Sequence, residues 1–266
     1  MSAVLFDHDG VRYNPTSLTA GPWDPGHAHG GAVAALLAHL TDEVASPEPM
    51  LPVRLTVELL RPVRRGDPLR ADHRVRRQGR RIQLIEVSLT DSGAQEVALA
   101  TLLRIRRGTP NEHLEAALEH SPAPQEPTTT PEADELPRYT GEALWPNGFH
   151  EAVDLRVASG VLGRPGAAVA WIDLIAEVID GAQATPLVRA AAAADFGNGL
   201  SAPLPMDQFV FINPDLTVQL DRLPNGRWIG IDARSNARLV GIGRTATLLS
   251  DRDGPVGIAL QSLLVE

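Results

Sequence analysis

The 266-residue sequence predicts an α+β fold built twice over, each copy a helix followed by long antiparallel strands. Three observations predict it. The segments Arg54 to Leu59, Ile82 to Leu89 and Ala98 to Ile105 alternate apolar and polar residues with the period of two that a half-buried strand requires. Two other stretches are apolar or alanine-rich with helix signals at their ends. The chain also repeats itself: Leu55 to Arg61 aligns with Leu216 to Arg222 at an offset of 161, and Ala98 to Leu103 aligns with Ala259 to Leu264 at the same offset. Between these matches Asp72, Arg74 and the turn at Asp91 align with Asp232, Arg234 and the turn at Asp251 at an offset of 160. A one-residue loop change accounts for the slip.

In chain order, Gly30 to Leu40 is apolar almost all round, as expected of a helix surrounded by protein rather than lying on a surface. Residues 108–140 carry six prolines, seven acids and a single Arg, a linker composition with room for a short helix around Glu112 to Glu119. This divides the chain into an N-terminal domain, 1–107, a linker, 108–144, and a C-terminal domain, 145–266. The second helix opens on Thr185 as N-cap with Pro186 at its first position, runs through five alanines to Asp195, and is expected to stop at Gly197 and Gly199.

Composition removes several chemistries. All 24 basic side chains are Arg and there is no Cys, so thiolate nucleophiles, disulfides, Cys-bound zinc and lysine Schiff bases are excluded. A formal charge of -9 argues against nucleic-acid partners, which demand an excess of basic groups. The opening MSAVLFDHDG lacks the basic and apolar regions of a secretory signal, and no apolar run approaches the roughly 20 residues of a membrane span, so a soluble cytoplasmic protein with no membrane partner is expected.

A His-Gly-Gly turn entering a buried helix, followed by antiparallel strands, resembles the hotdog fold. The tandem copy resembles the double-hotdog acyl-CoA thioesterases of the bacterial type II class. The likeness rests on Gly21-Pro22-Trp23, His29-Gly30-Gly31, Leu60-Arg61-Pro62, Arg77-Gln78-Gly79-Arg80, Ala194-Asp195-Phe196 and Leu260-Gln261-Ser262. It implies two antiparallel sheets, each wrapped around a central helix, and hydrolysis of an acyl thioester by an activated water without a covalent intermediate. It implies no metal or redox cofactor.

Asp195 is the first candidate because it closes a helix, where the dipole disfavours a carboxylate by about 0.3–1 kcal/mol and something must compensate. The resembled enzymes use an Asp at this motif to activate water. Gln261 is the second: alternation puts it on one strand face with Ala259, Leu263 and Val265, and an amide on an apolar face needs partners. Its first-half counterpart by the repeat is Ala100, and the resemblance gives such a Gln a water-positioning role. The turn His29-Gly30-Gly31 is the third, since glycines and free N–H groups at a helix start suit an oxyanion, with Gly31 the expected donor. The resembled enzymes complete the site with a Thr or Ser where this chain has Phe211; Asn213, two residues on, is the candidate replacement. The alternative reading is a non-catalytic acyl-CoA or lipid-binding homologue.

Other motifs weaken on inspection. Phe211-Ile212-Asn213-Pro214-Asp215-Leu216 has Phe and Leu at the catalytic Asp and His positions of hotdog hydratases. Gly241-Ile242-Gly243 leaves no room for a dinucleotide-binding unit, and Asp251-Arg252-Asp253-Gly254 fits a hairpin turn better than a calcium loop. His27 and His29 with Asp24 are better structural than metal-ligating. The arginines from Arg74 to Arg81 read as a solvated strand end or as a basic rim for the phosphates of CoA. A homo-oligomer is possible, since tandem hotdogs already pair within one chain.

Overall fold

The computed structural model describes residues 3–140 and 148–266. A short hairpin, β1 (Phe6–His8) and β2 (Tyr13–Pro15), precedes helix α1 (Gly30–Glu43) and strands β3 (Met50–Leu59), β4 (Arg70–Gln78), β5 (Ile82–Thr90) and β6 (Glu96–Arg106). After the exposed helix α2 (Glu112–Leu118) come β7 (Val153–Ser159), β8 (Ala168–Leu174), α3 (Pro186–Ala194), α4 (Gly197–Leu200) and β9 (Phe211–Ile212). Strands β10 (Asp215–Leu220), β11 (Ile229–Ala237), β12 (Ile242–Asp251) and β13 (Gly254–Val265) complete the chain. Pro186 and the Thr185 hydroxyl, which accepts from Val188 N–H at 3.2 Å, start α3 as the sequence implies. Gly197 and Gly199 do not stop the helical path outright, because the short α4 follows α3 after a break at Asp195 and Phe196.

The large sheet is antiparallel in the order β4-β5-β6-β3-β10-β13-β12-β11-β8-β7, with β9 on β13. The two sheets expected are therefore halves of one, joined edge to edge by β3 and β10. Thr56 stands opposite Thr217 with hydroxyls 3.4 Å apart. These residues are equivalent in the repeat, so a local two-fold axis passes between them.

The ladders correct the repeat at its far end. Asp72 faces Ser88 and Asp232 faces Leu248, keeping an offset of 160 in the middle strands. Opposite Thr56, however, stands Thr101, and opposite Thr217 stands Leu260, an offset of 159 rather than 161. Ala100 is thus equivalent to Ala259, and the first-half counterpart of Gln261 is Leu102. A shift of two residues leaves every side chain on its original face, so alternation in the sequence cannot detect it.

Helices α1 and α3 pack side by side under this sheet. Leu55, Val57, Ile85, Val87 and Leu102 form the first half's inner wall, and Leu216, Val218, Ile231 and Leu249 the second's, all essentially inaccessible. Gly31 lies against Ala192, and the Thr185 hydroxyl donates to Asp42 at 2.6 Å, so the two helices run antiparallel with each start beside the other's end.

The acidic linker is not a free tether. Its Thr128 N–H donates to Asp232 at 3.1 Å, its Pro131 carbonyl accepts from the Trp171 indole at 3.1 Å, and buried Ala133 packs on Trp171 and Trp228. Arg156 donates to the carbonyls of Ala133 and Leu136, and Arg252 pairs with Asp134. Tyr139 N–H then bonds the Leu155 carbonyl on the outermost strand, β7, so the segment straps the second half and covers its free edge.

The turn between β12 and β13 is anchored by buried Asp251, which accepts from Arg222 at 2.5 and 2.6 Å and from the N–H groups of Asn225 and Asp253. Burial opposes ionisation, but Arg222 and these N–H groups outweigh it and hold the carboxyl below the ordinary range. A lowered carboxyl contributes stability that is complete above its unfolded pKa of about 3.9 and lost as pH falls through the folded value. Stability measured by denaturant melts is therefore expected to decline below about pH 4. Asp251→Asn should cost about 2 kcal/mol at pH 7 and flatten that acid decline, and an unchanged decline would assign it to other groups.

Candidate active site

The antiparallel helix pair sets up two equivalent corners, each an N-cap facing an acid at the other helix's end. One holds His29 and Asp195, the other Thr185 and Asp42. Their fates differ.

At the first corner Asp195 is 3% exposed. Its Oδ1 accepts from Asn213 Nδ2 at 2.7 Å and from Gln261 Nε2 at 3.3 Å, while Oδ2 lies 3.0 Å from His29 Nδ1. Asn198 donates to Asn213 Oδ1 at 3.2 Å, which turns the Asn213 amide so that its NH₂ meets the carboxylate. The compensation demanded by a carboxylate closing α3 is thus visible: two amide donors, an imidazole and the start of α1, where the dipole favours negative charge. Of the candidates, Asp195, Gln261, Asn213 and His29 are brought together, and Gly30 touches them.

His29 is the N-cap of α1, with Nδ1 also 3.0 Å from Gly31 N–H. One nitrogen cannot serve both neighbours at once. Carrying a proton it donates to Asp195; bare, it accepts from Gly31. The ring packs against Phe149 and Phe196, with centroids 4.9 and 5.3 Å away, and those two rings pack on each other at 5.5 Å.

This geometry redirects the expected oxyanion donor. Gly31 N–H faces His29 Nδ1, and Gly31 is packed so that an added Cβ would meet Phe149 at 2.6 Å and the Ala192 carbonyl at 3.0 Å. Gly30 instead lines the cavity, and its N–H, the first of the helix, has no acceptor among the described residues. A Cβ at Gly30 would sit 2.7 Å from Asp195 Oδ2. Because that carboxylate is enclosed, Gly30→Ala is expected to displace it and cut turnover about a hundredfold with little change in unfolding temperature. Paired rate and thermal-melt measurements check this, and a wild-type rate would put the reacting carbonyl elsewhere.

A cavity of ≈ 290 Å³ opens beside Asp195. Its polar lining includes His29, Gly30, Asp195, Asn198 and Asn213, and Val33, Leu59, Val63, Phe196 and Ile212 are among its apolar residues. Phe211 does not line it: fully buried, it meets the Trp23 ring edge-on at 5.2 Å. The position given to a hydroxyl in the resembled enzymes is thus filled by hydrocarbon, and the hydrogen bond to Asp195 comes from Asn213. His150, which the sequence did not single out, also lines the cavity. Burial holds it below the usual histidine value, with Glu151 opposing and His29 adding to the effect.

Beneath Asp195 the second half is polar where the first is apolar. Ile85, Val87 and Leu102 are replaced by Thr245, Thr247 and Gln261, as the ladders align them. Gln261 is 1% exposed, and its Oε1 is buried with no hydrogen-bond partner among the described residues. Thr245 continues into a chain of hydroxyls, 2.6 Å to Ser235 and 2.7 Å on to Ser201. Comparing the two halves in their true register is the signal that exposes these residues.

At the second corner the space is filled. Buried Arg104 donates at 2.7 Å to the Val44 and Thr41 carbonyls, lies 3.6 Å from Asp42, and is steadied by Gln83 at 3.2 Å. The helix end that could have faced a ligand is capped by a guanidinium instead. Among the described residues no group of three or more His, Cys, Asp or Glu could hold a metal; His27 pairs with Asp24 at 3.2 Å. No helix of the described residues is long and apolar enough to cross a membrane.

Fold and site together define a double-hotdog protein of the thioesterase kind, with one open site. Models of the acyl-CoA thioesterase N-terminal domain and C-terminal domain match residues 19–105 and 122–265, and the chain belongs to that family of thioester hydrolases. Comparison with curated proteins gave no match. Among solved structures the chain is similar to a conserved hot dog fold protein of unknown function from Alicyclobacillus acidocaldarius (TM-score 0.75, 16% identity, covering 100% of this chain and 97% of that one). It is also similar to the tesB protein of Mycobacterium avium subs paratuberculosis (0.66, 15%, 98% and 96%) and to acyl-CoA thioesterase II TesB2 of Mycobacterium marinum (0.63, 14%, 89% and 90%). At these identities the likeness is one of fold.

Proposed function

We propose that the protein hydrolyses an acyl-CoA to the free acid and CoA by direct attack of water. The observation that carries this reading is a buried carboxylate, Asp195, held by Asn213 and Gln261 at the start of α1, on the wall of an otherwise largely apolar cavity. The acyl chain occupies the apolar part, with the thioester carbonyl oxygen at Gly30 N–H. A water held by Asp195 on the cavity wall attacks the carbonyl carbon as Asp195 takes its proton, while Gln261, behind the carboxylate, fixes it through Nε2. The tetrahedral oxyanion is stabilised by Gly30 N–H and collapses, the C–S bond breaks, and the leaving thiolate recovers the proton from Asp195. His29 positions the carboxylate by its contact with Oδ2, and no covalent acyl-enzyme forms.

The test is release of CoA thiol from acyl-CoAs of graded chain length, followed with a thiol reagent to which this cysteine-free chain contributes no background. Saturable turnover is expected. Saturable binding without turnover would favour the non-catalytic reading, with Phe211 as its basis.

A further inference from the structure

We propose that Arg61, Arg64 and Arg65, with the indole of Trp23, form the subsite for the phosphorylated nucleotide of CoA, and that the arginines of β4 do not. This rests on the acyl-CoA reading above and assigns the part of the substrate that the acyl cavity leaves unexplained. Arg61 and Trp23 both line the cavity, and both are exposed. Arg64 and Arg65 follow on the same loop, which is stitched to the cavity-lining segment 24–28: His27 bridges to Arg64, Arg65 N–H bonds the Gly26 carbonyl at 2.8 Å, and Arg65 Nη1 bonds the Pro25 carbonyl at 2.7 Å.

Position and charge together single these residues out, since Arg74, Arg77, Arg80 and Arg81 are equally without ion pairs among the described residues but do not adjoin the cavity. In a chain of net charge -9, none of the three forms an ion pair among the described residues, and the acid of the same rim, Asp24, is taken by His27. Arg65 Nε has no hydrogen-bond partner among the described residues. Guanidinium groups left without carboxylates suit phosphate, which they bind in a two-pronged fashion, and the exposed indole of Trp23, lining the same cavity as Arg61, offers a face for a purine. The Arg74 to Arg81 cluster has another explanation. Strand β4 is the outermost of its half, separated from β3 by β5 and β6, about 14 Å across the sheet, and charged side chains there guard a free edge against pairing with other chains.

The experiment compares an acyl-CoA with the N-acetylcysteamine thioester of the same acid, which has no nucleotide. The double variant Arg61→Ala/Arg64→Ala is expected to raise KM for the acyl-CoA about tenfold or more at unchanged kcat, while both constants for the short thioester stay within about twofold. Added salt should raise KM for the acyl-CoA alone. Arg77→Ala/Arg80→Ala should move neither. Equal losses on both thioesters, no loss on either, or a loss confined to the Arg77/Arg80 variant would overturn the assignment. If the unaltered protein hydrolyses neither thioester, the hydrolytic reading falls, and calorimetric titration with CoA and with pantetheine decides the subsite separately. CoA binding weakened in the double variant would uphold it, and binding of the two compounds with equal affinity would sink it.

Discussion

Asp195→Asn is expected to lower kcat for thioester hydrolysis by about 10²- to 10⁴-fold, the range associated with losing a positioned general base, while KM changes little. The amide is nearly the same size as the carboxylate, and its oxygen can still accept from Asn213 and Gln261, so packing around the 3%-exposed side chain should persist. What disappears is a group able to take a proton from water. Thiol release gives the rate, and the unfolding temperature, expected within a few degrees of the unaltered protein, separates lost chemistry from lost structure. A variant at full rate and normal stability would remove Asp195 from the reaction, and attention would pass to His29 as the group that handles the proton.

Arg104→Ala is expected to cost about 3–5 kcal/mol of stability, the usual penalty for stripping the partner from a buried charge. The guanidinium satisfies the last carbonyls of α1 and faces Asp42, whose carboxyl burial already pushes above the ordinary range, against the opposing pull of Thr185 and Arg104. Without Arg104 that pull weakens. A carboxyl whose folded pKa is raised carries its full cost above that value and is relieved as pH falls toward the unfolded pKa. The deficit of the variant, measured by denaturant melts across pH, should therefore be largest near neutrality and shrink on acidification. A deficit independent of pH would mean that the lost carbonyl caps, not Asp42, dominate.

Together these variants probe an asymmetry that the two-fold axis makes plain. Both corners of the helix pair place an acid beside the other helix's N-cap, yet only one opens to a cavity. In the second half, Thr245, Thr247 and Gln261 make the floor polar; in the first, Ile85, Val87 and Leu102 make it apolar, and Arg104 fills the gap. Duplication supplied two equivalent frames, and side-chain chemistry leaves one open to a cavity and fills the other with a guanidinium.

Much of this was legible in the residues themselves. The N-cap of α3, the all-round apolar character of α1, the alternation in β3, β5 and β6 and the turn at Asp251 are local signals, because helix starts, strand faces and turns depend on residues a few positions apart. The repeat carried the duplication, and Asp195 announced itself by standing at the wrong end of a helix. Sequence alone thus determined the two helices and several strands, their duplication and a short set of polar residues that called for partners, but not β7 and β8, which precede α3 where a helix was expected to come first.

Tertiary structure decided which partners they found. That Asn213 meets Asp195, that Gly30 rather than Gly31 lines the cavity, and that Phe211 packs under Trp23 all depend on contacts between residues distant along the chain or on the packing of a single turn. The linker's composition disclosed an extended path but not its docking on Trp171 and Trp228. The last strands' register was hidden for a simpler reason: a two-residue slip preserves the alternation of faces, so only hydrogen-bonded neighbours, not periodicity, place Leu102 rather than Ala100 opposite the role of Gln261.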